Sequence, residues 1–298
     1  MSTKVLITGA SGLLGRAVLH EFESDRKWST LGLAFSRASG NLRKVDITDQ
    51  QAVKDIMQEF KPDIVIHSAA ERRPDVVDKQ EEATYRLNVE STRSICQVAK
   101  SIGATIFYIS TDYVFDGKNP PYRETDAPNP LNRYGVSKLE GEKVTLAESK
   151  DNSILRVPIL YGNIERLDES AVTVLFSKVK DTTNTCIMSD YEQRYPTHCK
   201  DIAVVLKQLA EKKIQGQDTA GIFHWSGDEK MTKYSMAMAM AEAFSLPTNH
   251  IQADRNPSGG ATRPYDAHLD CSRAQSLGIG QRTPFKSTIR EILEPFYP

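Results

Sequence analysis

An α/β fold is predicted here: a doubly wound parallel sheet followed by a smaller C-terminal α/β lobe. Three observations predict it. Short apolar runs alternate with amphipathic stretches through residues 1–162, the pattern of strands joined by crossover helices. A glycine-rich turn separates the first run from the first amphipathic stretch. Of 298 residues, 39% are hydrophobic and 26% charged, which leaves enough apolar material for a sheet covered on both faces.

Lys4–Thr8 (KVLIT) reads as a buried strand, and Leu13–Phe22 as the helix after the turn. Leu31–Phe35 is a second strand. Gln50–Phe60 is a helix, with Val53, Ile56, Met57 and Phe60 at helical spacing. Asp63–His67 (DIVIH) is the next strand, and a long helix follows over Glu82–Ile102, capped by Gly103. Thr105–Ser110 is a strand, Leu131–Ser149 a helix, Ser153–Val157 a strand. After Gly162 the alternation loosens. Helices are expected over Ser170–Lys180, Asp201–Lys212, Thr232–Phe244 and Thr288–Phe296, strands over Cys186–Met188 and Gly221–Trp225, and a loop over Asn256–Thr262. The Met/Ala stripe of the third of these helices reads as core packing. The expected division is a nucleotide-binding domain of 1–162 and a lobe of 163–298. Residues 201–225 are a candidate to return to the first domain, making the lobe discontinuous.

Several classes are excluded. The net charge is -1, without the basic excess of a nucleic-acid binder. No apolar run approaches the ~18 residues of a membrane span. The start, MSTKVLITGA, lacks a signal-peptide layout. Cys96, Cys186, Cys199 and Cys271 are far apart with no CxxC pair, so free thiols in a reducing cytoplasm are expected. The six histidines show no HxH or HxxxH spacing, and no metal site is expected.

Gly9-Ala10-Ser11-Gly12-Leu13-Leu14-Gly15 is a GxxGxxG turn between strand and helix. Glycines let the backbone approach a pyrophosphate, and the helix N-terminus offers free N–H groups. A Rossmann-type dinucleotide site follows. An NAD-selecting site carries an acid about 20 residues beyond the glycines. Here that region reads Leu33-Ala34-Phe35-Ser36-Arg37. Arg37, with Arg16 after the third glycine, suits a ribose 2′-phosphate, so NADP(H) is the expected cofactor. Asp46, followed by Ile47, is placed to accept from an adenine amino group, while Thr48 or Asp49 competes locally as a helix cap.

Tyr134-Gly135-Val136-Ser137-Lys138 is a YxxxK pair, one turn apart on a helix. A tyrosine needs a neighbouring ammonium to bring its pKa toward the working range. Ser110-Thr111-Asp112 places hydroxyls at the carboxyl end of a strand, where open α/β sheets bind ligands. A carbonyl there could take a hydride from NADPH, a proton from Tyr134 and a hydrogen bond from Thr111.

Together these motifs resemble the extended short-chain dehydrogenases/reductases. Ser110–Gly117 (STDYVFDG) resembles the matching stretch of dTDP-4-dehydrorhamnose reductases. That resemblance implies a catalytic set of Thr111, Tyr134 and Lys138, and a cofactor site that includes Ser68, Ala69, Ala70, Asn88, Ser110 and Pro158. Arg194, Thr197 and Arg263 fall in its substrate lobe. Longer stretches, among them Ala70–Val77 (AERRPDVV), Gln193–Asp201 (QRYPTHCKD) and Leu269–Phe285 (LDCSRAQSLGIGQRTPF), are similar to the regulatory (beta) subunits of methionine adenosyltransferase. This branch implies an NADP-binding subunit that associates with the catalytic subunit, the maker of S-adenosylmethionine, without established catalysis of its own. The alternative is a 4-keto nucleotide-sugar reductase, alone or beside a pathway enzyme. Many members of the branch dock through an extended C-terminal tail. Here Glu294–Pro298 follows soon after the last helix, so contact is expected elsewhere, or the chain does something different. Arg72-Arg73 could contact a phosphate or a partner, but a solvated loop is the expected account.

Overall fold

The computed structural model describes residues 2–297; Met1 and Pro298 lie outside the described residues. The first half builds β1 (Thr3–Thr8), α1 (Leu13–Glu23), β2 (Trp28–Ala34), β3 (Arg43–Lys44), α2 (Gln50–Phe60), β4 (Ile64–His67), α3 (Pro74–Val77), α4 (Glu81–Tyr85), α5 (Ser91–Ile102), β5 (Thr105–Thr111), α6 (Arg133–Glu148) and β6 (Ser153–Val157). The second builds β7 (Leu160–Tyr161), α7 (Phe176–Val179), β8 (Cys186–Ser189), β9 (Thr197–His198), α8 (Cys199–Ile214), β10 (Gly221–His224), α9 (Lys233–Ala243), β11 (Ile251–Asp254), α10 (Ser272–Ser276) and α11 (Phe285–Leu293).

The main sheet has seven strands in the order β10-β6-β5-β4-β1-β2-β3, and its pairings are parallel. Strand residues alternate between two cores. Val5, Ile7, Ile64 and Ile66 pack with α1 and α8, while Leu6, Val65 and Ile106 pack with α2 and α5. Apolar side chains on both strand faces are what a sheet covered by two helix layers requires. The doubly wound fold is therefore present. Strand order reverses between β1 and β4, and that switch point opens a crevice at the strands' carboxyl ends. Beyond it, Val172, Phe176, Val179, Met236, Met240, Phe285 and Ile289 form a separate core, flanked by the parallel pair β8–β11.

Several boundaries differ from expectation. β2 starts at Trp28 and stops before Phe35, which is exposed. α6 starts at Arg133, because the Asn132 side chain caps it by accepting from Gly135 N. The expected Glu82–Ile102 helix is interrupted by a π turn over Arg86–Glu90. The Ser91 and Thr92 hydroxyls there donate to the Leu87 and Asn88 carbonyls, a competition that bends helices. Ser170–Lys180 is not one helix: a 3-10 turn over Thr173–Leu175 leads into the short α7. Ser170 Oγ donates to Leu160 O and accepts from Val172 N, and Thr173 Oγ1 donates to Leu167 O, so side chains displace helical bonding. The last helix begins earlier, at Phe285, and tightens to a 3-10 turn over Glu294–Phe296, since Pro295 has no N–H to continue it. Finally, α8 packs on α1 and β10 is the edge strand beside β6.

Candidate functional site

The crevice floor is the glycine turn. Gly9 has φ +68°, and a Cβ there would lie 2.9 Å from Ala69 Cα; one on Gly15 would lie 2.1 Å from the Gly9 carbonyl oxygen. Both positions therefore exclude a side chain. The Gly12 N–H donates to Gly9 O at 2.8 Å. No side chain caps α1, so the first N–H groups of the helix, at Leu13 and Leu14, stay available to an anion.

The turn after β4 is held against this floor by His67. Its Nδ1 lies 2.7 Å from Thr8 Oγ1 and its Nε2 3.0 Å from Thr92 Oγ1. The Thr92 hydroxyl donates to Asn88 O, so it accepts from Nε2–H, and Nδ1 accepts from Thr8. The ring is neutral, burial having pushed its pKa down to about 3. Ser68 Oγ donates to Thr8 O, and Ala69 N to Thr8 Oγ1, placing Ser68, Ala69 and Ala70 beside the turn. Asn88 differs from the lining role expected of it. Its amide is committed to both main-chain groups of Glu71 and to Ser137 Oγ, so it pins the 68–71 turn to α6. Asp46 is also partly committed, its Oδ1 accepting from Thr48 N and Oγ1; beside it, Ile47 is buried and Asp49 caps α2.

On the opposite wall, β5 delivers Ser110 and Thr111, while α6 delivers Tyr134 and Lys138. A Cβ on Gly135 would fall 2.3 Å from Tyr113 O, and this close approach brings Tyr134 to Tyr113, ring centroids 5.9 Å apart. Lys138 Nζ rests 4.0 Å from the Tyr108 ring centroid. The expected lowering of the Tyr134 pKa is not found. Burial raises it, the Thr111 hydrogen bond only partly opposing, and burial lowers Lys138 to about 7. Withdrawing water penalises both charged forms. Pro158 is buried at the end of β6.

Behind this wall lies a network that sequence reasoning missed. Ser110 donates to Glu142, which receives Arg156 Nε at 2.9 Å and Nη2 at 2.7 Å. Arg156 Nη1 meets His224 Nε2 at 3.3 Å, and His224 Nδ1 faces Tyr122 O at 3.2 Å. Since a carbonyl only accepts, Nδ1 carries the proton and the ring is neutral, its pKa pushed down to about 3 by burial and then by Arg156. Asp112 was also missed as a titrating group: burial raises its carboxyl to about 6, against the pull of Arg194.

The second lobe closes the crevice. Arg194 is buried, donates to the Gln193 and Pro264 carbonyls, and stacks near Tyr113. Arg263 pairs with Asp75 at 2.7 Å. Thr197 is spent structurally, donating to Tyr195 O and accepting from Gly227 N. Arg16 and Arg37, expected to face a ribose phosphate, both pair with Glu169. Arg72 is not merely solvated: it donates to Glu169 O, while Arg73 pairs with Glu71. Among the described residues no group of three or more His, Cys, Asp or Glu could hold a metal ion, and no helix is long and apolar enough to cross a membrane.

Comparison with known proteins agrees with the fold. The chain is 52% identical over 294 residues to methionine adenosyltransferase 2 subunit beta of Bos taurus, covering 98% of this chain and 88% of the relative. It is 34% identical to a dTDP-4-dehydrorhamnose reductase of Aggregatibacter actinomycetemcomitans, covering 97% and 98%. In fold it matches a dTDP-4-dehydrorhamnose reductase of Bacillus anthracis solved in complex with NADP, with TM-score 0.84, 24% identity and 99% of each chain covered. The model of the RmlD substrate binding domain matches residues 3–297. The chain therefore belongs to the RmlD substrate binding domain family and, within it, is similar over nearly its whole length to the beta subunits of methionine adenosyltransferase 2.

Proposed function

We propose that this chain is an NADP(H)-binding regulatory subunit that associates with a methionine adenosyltransferase catalytic subunit and tunes S-adenosylmethionine synthesis. The 52% identity over 98% of the chain to a protein named as such a beta subunit carries this reading. To regulate, the chain must bind two states of its partner unequally. The four cysteines are buried free thiols, which suits a cytoplasmic setting. The residues present fit the dinucleotide, since Gly9 and Gly15, with no room for a Cβ, hold the turn close against the start of α1, whose first N–H groups no side chain caps. Gly9–Gly15 and the α1 N-terminus would hold the pyrophosphate, Arg37 with Ser36 and Arg16 the 2′-phosphate, and Asp46 and Ile47 the adenine. Ser68–Ala70, Ser110, Lys138 and Pro158 would flank the nicotinamide half. When bound, that ring supplies or accepts hydride.

A second reading, a 4-keto nucleotide-sugar reductase, is supported by one observation: β5, which ends in Thr111, packs against α6, which carries Tyr134 and Lys138. There Tyr134 would give its proton to a carbonyl oxygen that Thr111 also holds, with Arg194 and Arg263 towards the rest of the substrate. Affinity capture with the catalytic subunit tests the first reading. Co-elution with altered adenosyltransferase kinetics is expected; no association, together with NADPH-dependent reduction of a 4-keto nucleotide sugar, moves the chain to the second.

A further inference from the structure

Glu169 ends the 3-10 turn Leu167–Glu169 of the second lobe, yet its side chain, 4% exposed, sits among groups of the first. Arg16 Nη2 reaches it at 2.6 Å, Arg37 Nη1 contacts its other oxygen, and Arg72 holds its carbonyl. Glu165, 61% exposed, lies 3.4 Å from Arg37 and 3.6 Å from Arg16. Two guanidinium groups thus face two carboxylates, with the Arg72 guanidinium beside them on the Glu169 carbonyl. The side-chain hydrogen bonds that Arg37 donates go to these two acids, and both arginines belong to the set fitted to the 2′-phosphate. A phosphate monoester brings a charge of about −1.5 to −2 and acceptor oxygens that suit the same guanidinium fork. Carboxylate and phosphate cannot both hold Arg37 without a costly meeting of like charges.

We propose that Glu169 is a latch on the coenzyme site: it holds Arg37 in place of the 2′-phosphate, and only a 2′-phosphorylated dinucleotide takes Arg37 from it, loosening the 163–170 segment that Arg16 and Arg72 still hold. Arg16 is anchored by Ser11 O and Asn163 O as well, so Arg37 is the arm that changes partner. Glu169 therefore sets how strongly NADP(H) is preferred over NAD(H), and its neighbour Ser170, whose hydroxyl is bonded to Leu160 O, ties the same segment to the first domain. The latch rests on the NADP(H) reading.

Calorimetric titration of the full chain with NADP and with NAD, before and after Glu169→Gln, tests it. The variant is expected to bind NADP on the order of tenfold more tightly, with NAD unchanged. Unchanged or weaker NADP binding overturns the latch while leaving the cofactor reading intact. A wild-type chain that takes up neither dinucleotide overturns that reading, and the latch with it. Should the variant not fold, hydrogen exchange on the wild-type chain decides. Amides of 165–170 are expected to exchange faster with saturating NADP and not with NAD; equal exchange overturns the latch.

Discussion

Tyr134 and Lys138 lie one helical turn apart, and burial drives the two in opposite directions, the phenol up and the ammonium down to about 7. Neither shift is legible from the YxxxK spacing, because spacing reports which face residues share and not how dry that face is. Tyr134→Phe separates the two functional readings. Any NADPH-dependent turnover of a keto-sugar nucleotide is expected to fall by at least about 10²-fold, the scale of general acid catalysis. NADP affinity and the effect on adenosyltransferase kinetics are expected to stay unchanged, measured by titration and steady-state assay. Gly15→Ala acts differently. Its methyl would lie 2.1 Å from the Gly9 carbonyl, so the turn must open at a cost on the order of 1–3 kcal/mol. Urea denaturation and the loss of dinucleotide binding heat check this. The glycine turn was readable because sterics at Gly9 and Gly15 leave few alternatives. Glu169 was not, because what it touches is fixed by a chain return of more than a hundred residues.

The elements were legible where local cues agree. At α2 the cap, the apolar spacing and the ends coincide: Asp49 accepts from Gln51 and Ala52 N, and Val53, Ile56 and Met57 are buried. Asp49→Ala is expected to cost about 1 kcal/mol, seen as a lower Tm with an unchanged fold. Cues conflict over Ser170–Lys180, where apolar spacing argues for a helix while the Ser170 and Thr173 hydroxyls capture the backbone. The π turn over Arg86–Glu90 leaves no periodic trace, since one wide turn barely shifts the apolar stripe. β7, β9 and β11 are two to four residues long, too short for alternation to show. The Glu142–Arg156 pair was hidden for another reason: Arg156 is a lone charge in the apolar strand SILRV, and spacing does not reveal a distant partner, yet it is 1% exposed. Arg156→Met strands the Glu142 carboxylate, and a loss of about 3–5 kcal/mol is expected in chemical denaturation. Adding Glu142→Leu should restore much of it.

At the scale of the whole molecule, two buried neutral histidines tie strands to their surroundings: His67 joins β1, β4 and α5, and His224 joins β10 to β6. Both have folded pKa values of about 3 against 6.5 for a free imidazole. The unfolded chain takes up these protons first, so their contribution is complete above about pH 6.5 and is lost as pH falls toward 3. Tm is expected to drop between pH 7 and pH 5, and His224→Gln to flatten that slope. The path of the backbone adds a last consequence. β10, the outer strand beside β6, and α8, the cover over Val18 and Phe22, come from beyond residue 198. A fragment cut at 162 would bare a strand edge and a greasy helix flank together, and should emerge from expression as aggregate. The sheet of the nucleotide half is finished at its edge and covered on one face only once the chain has passed residue 224, so its folding waits on the second half.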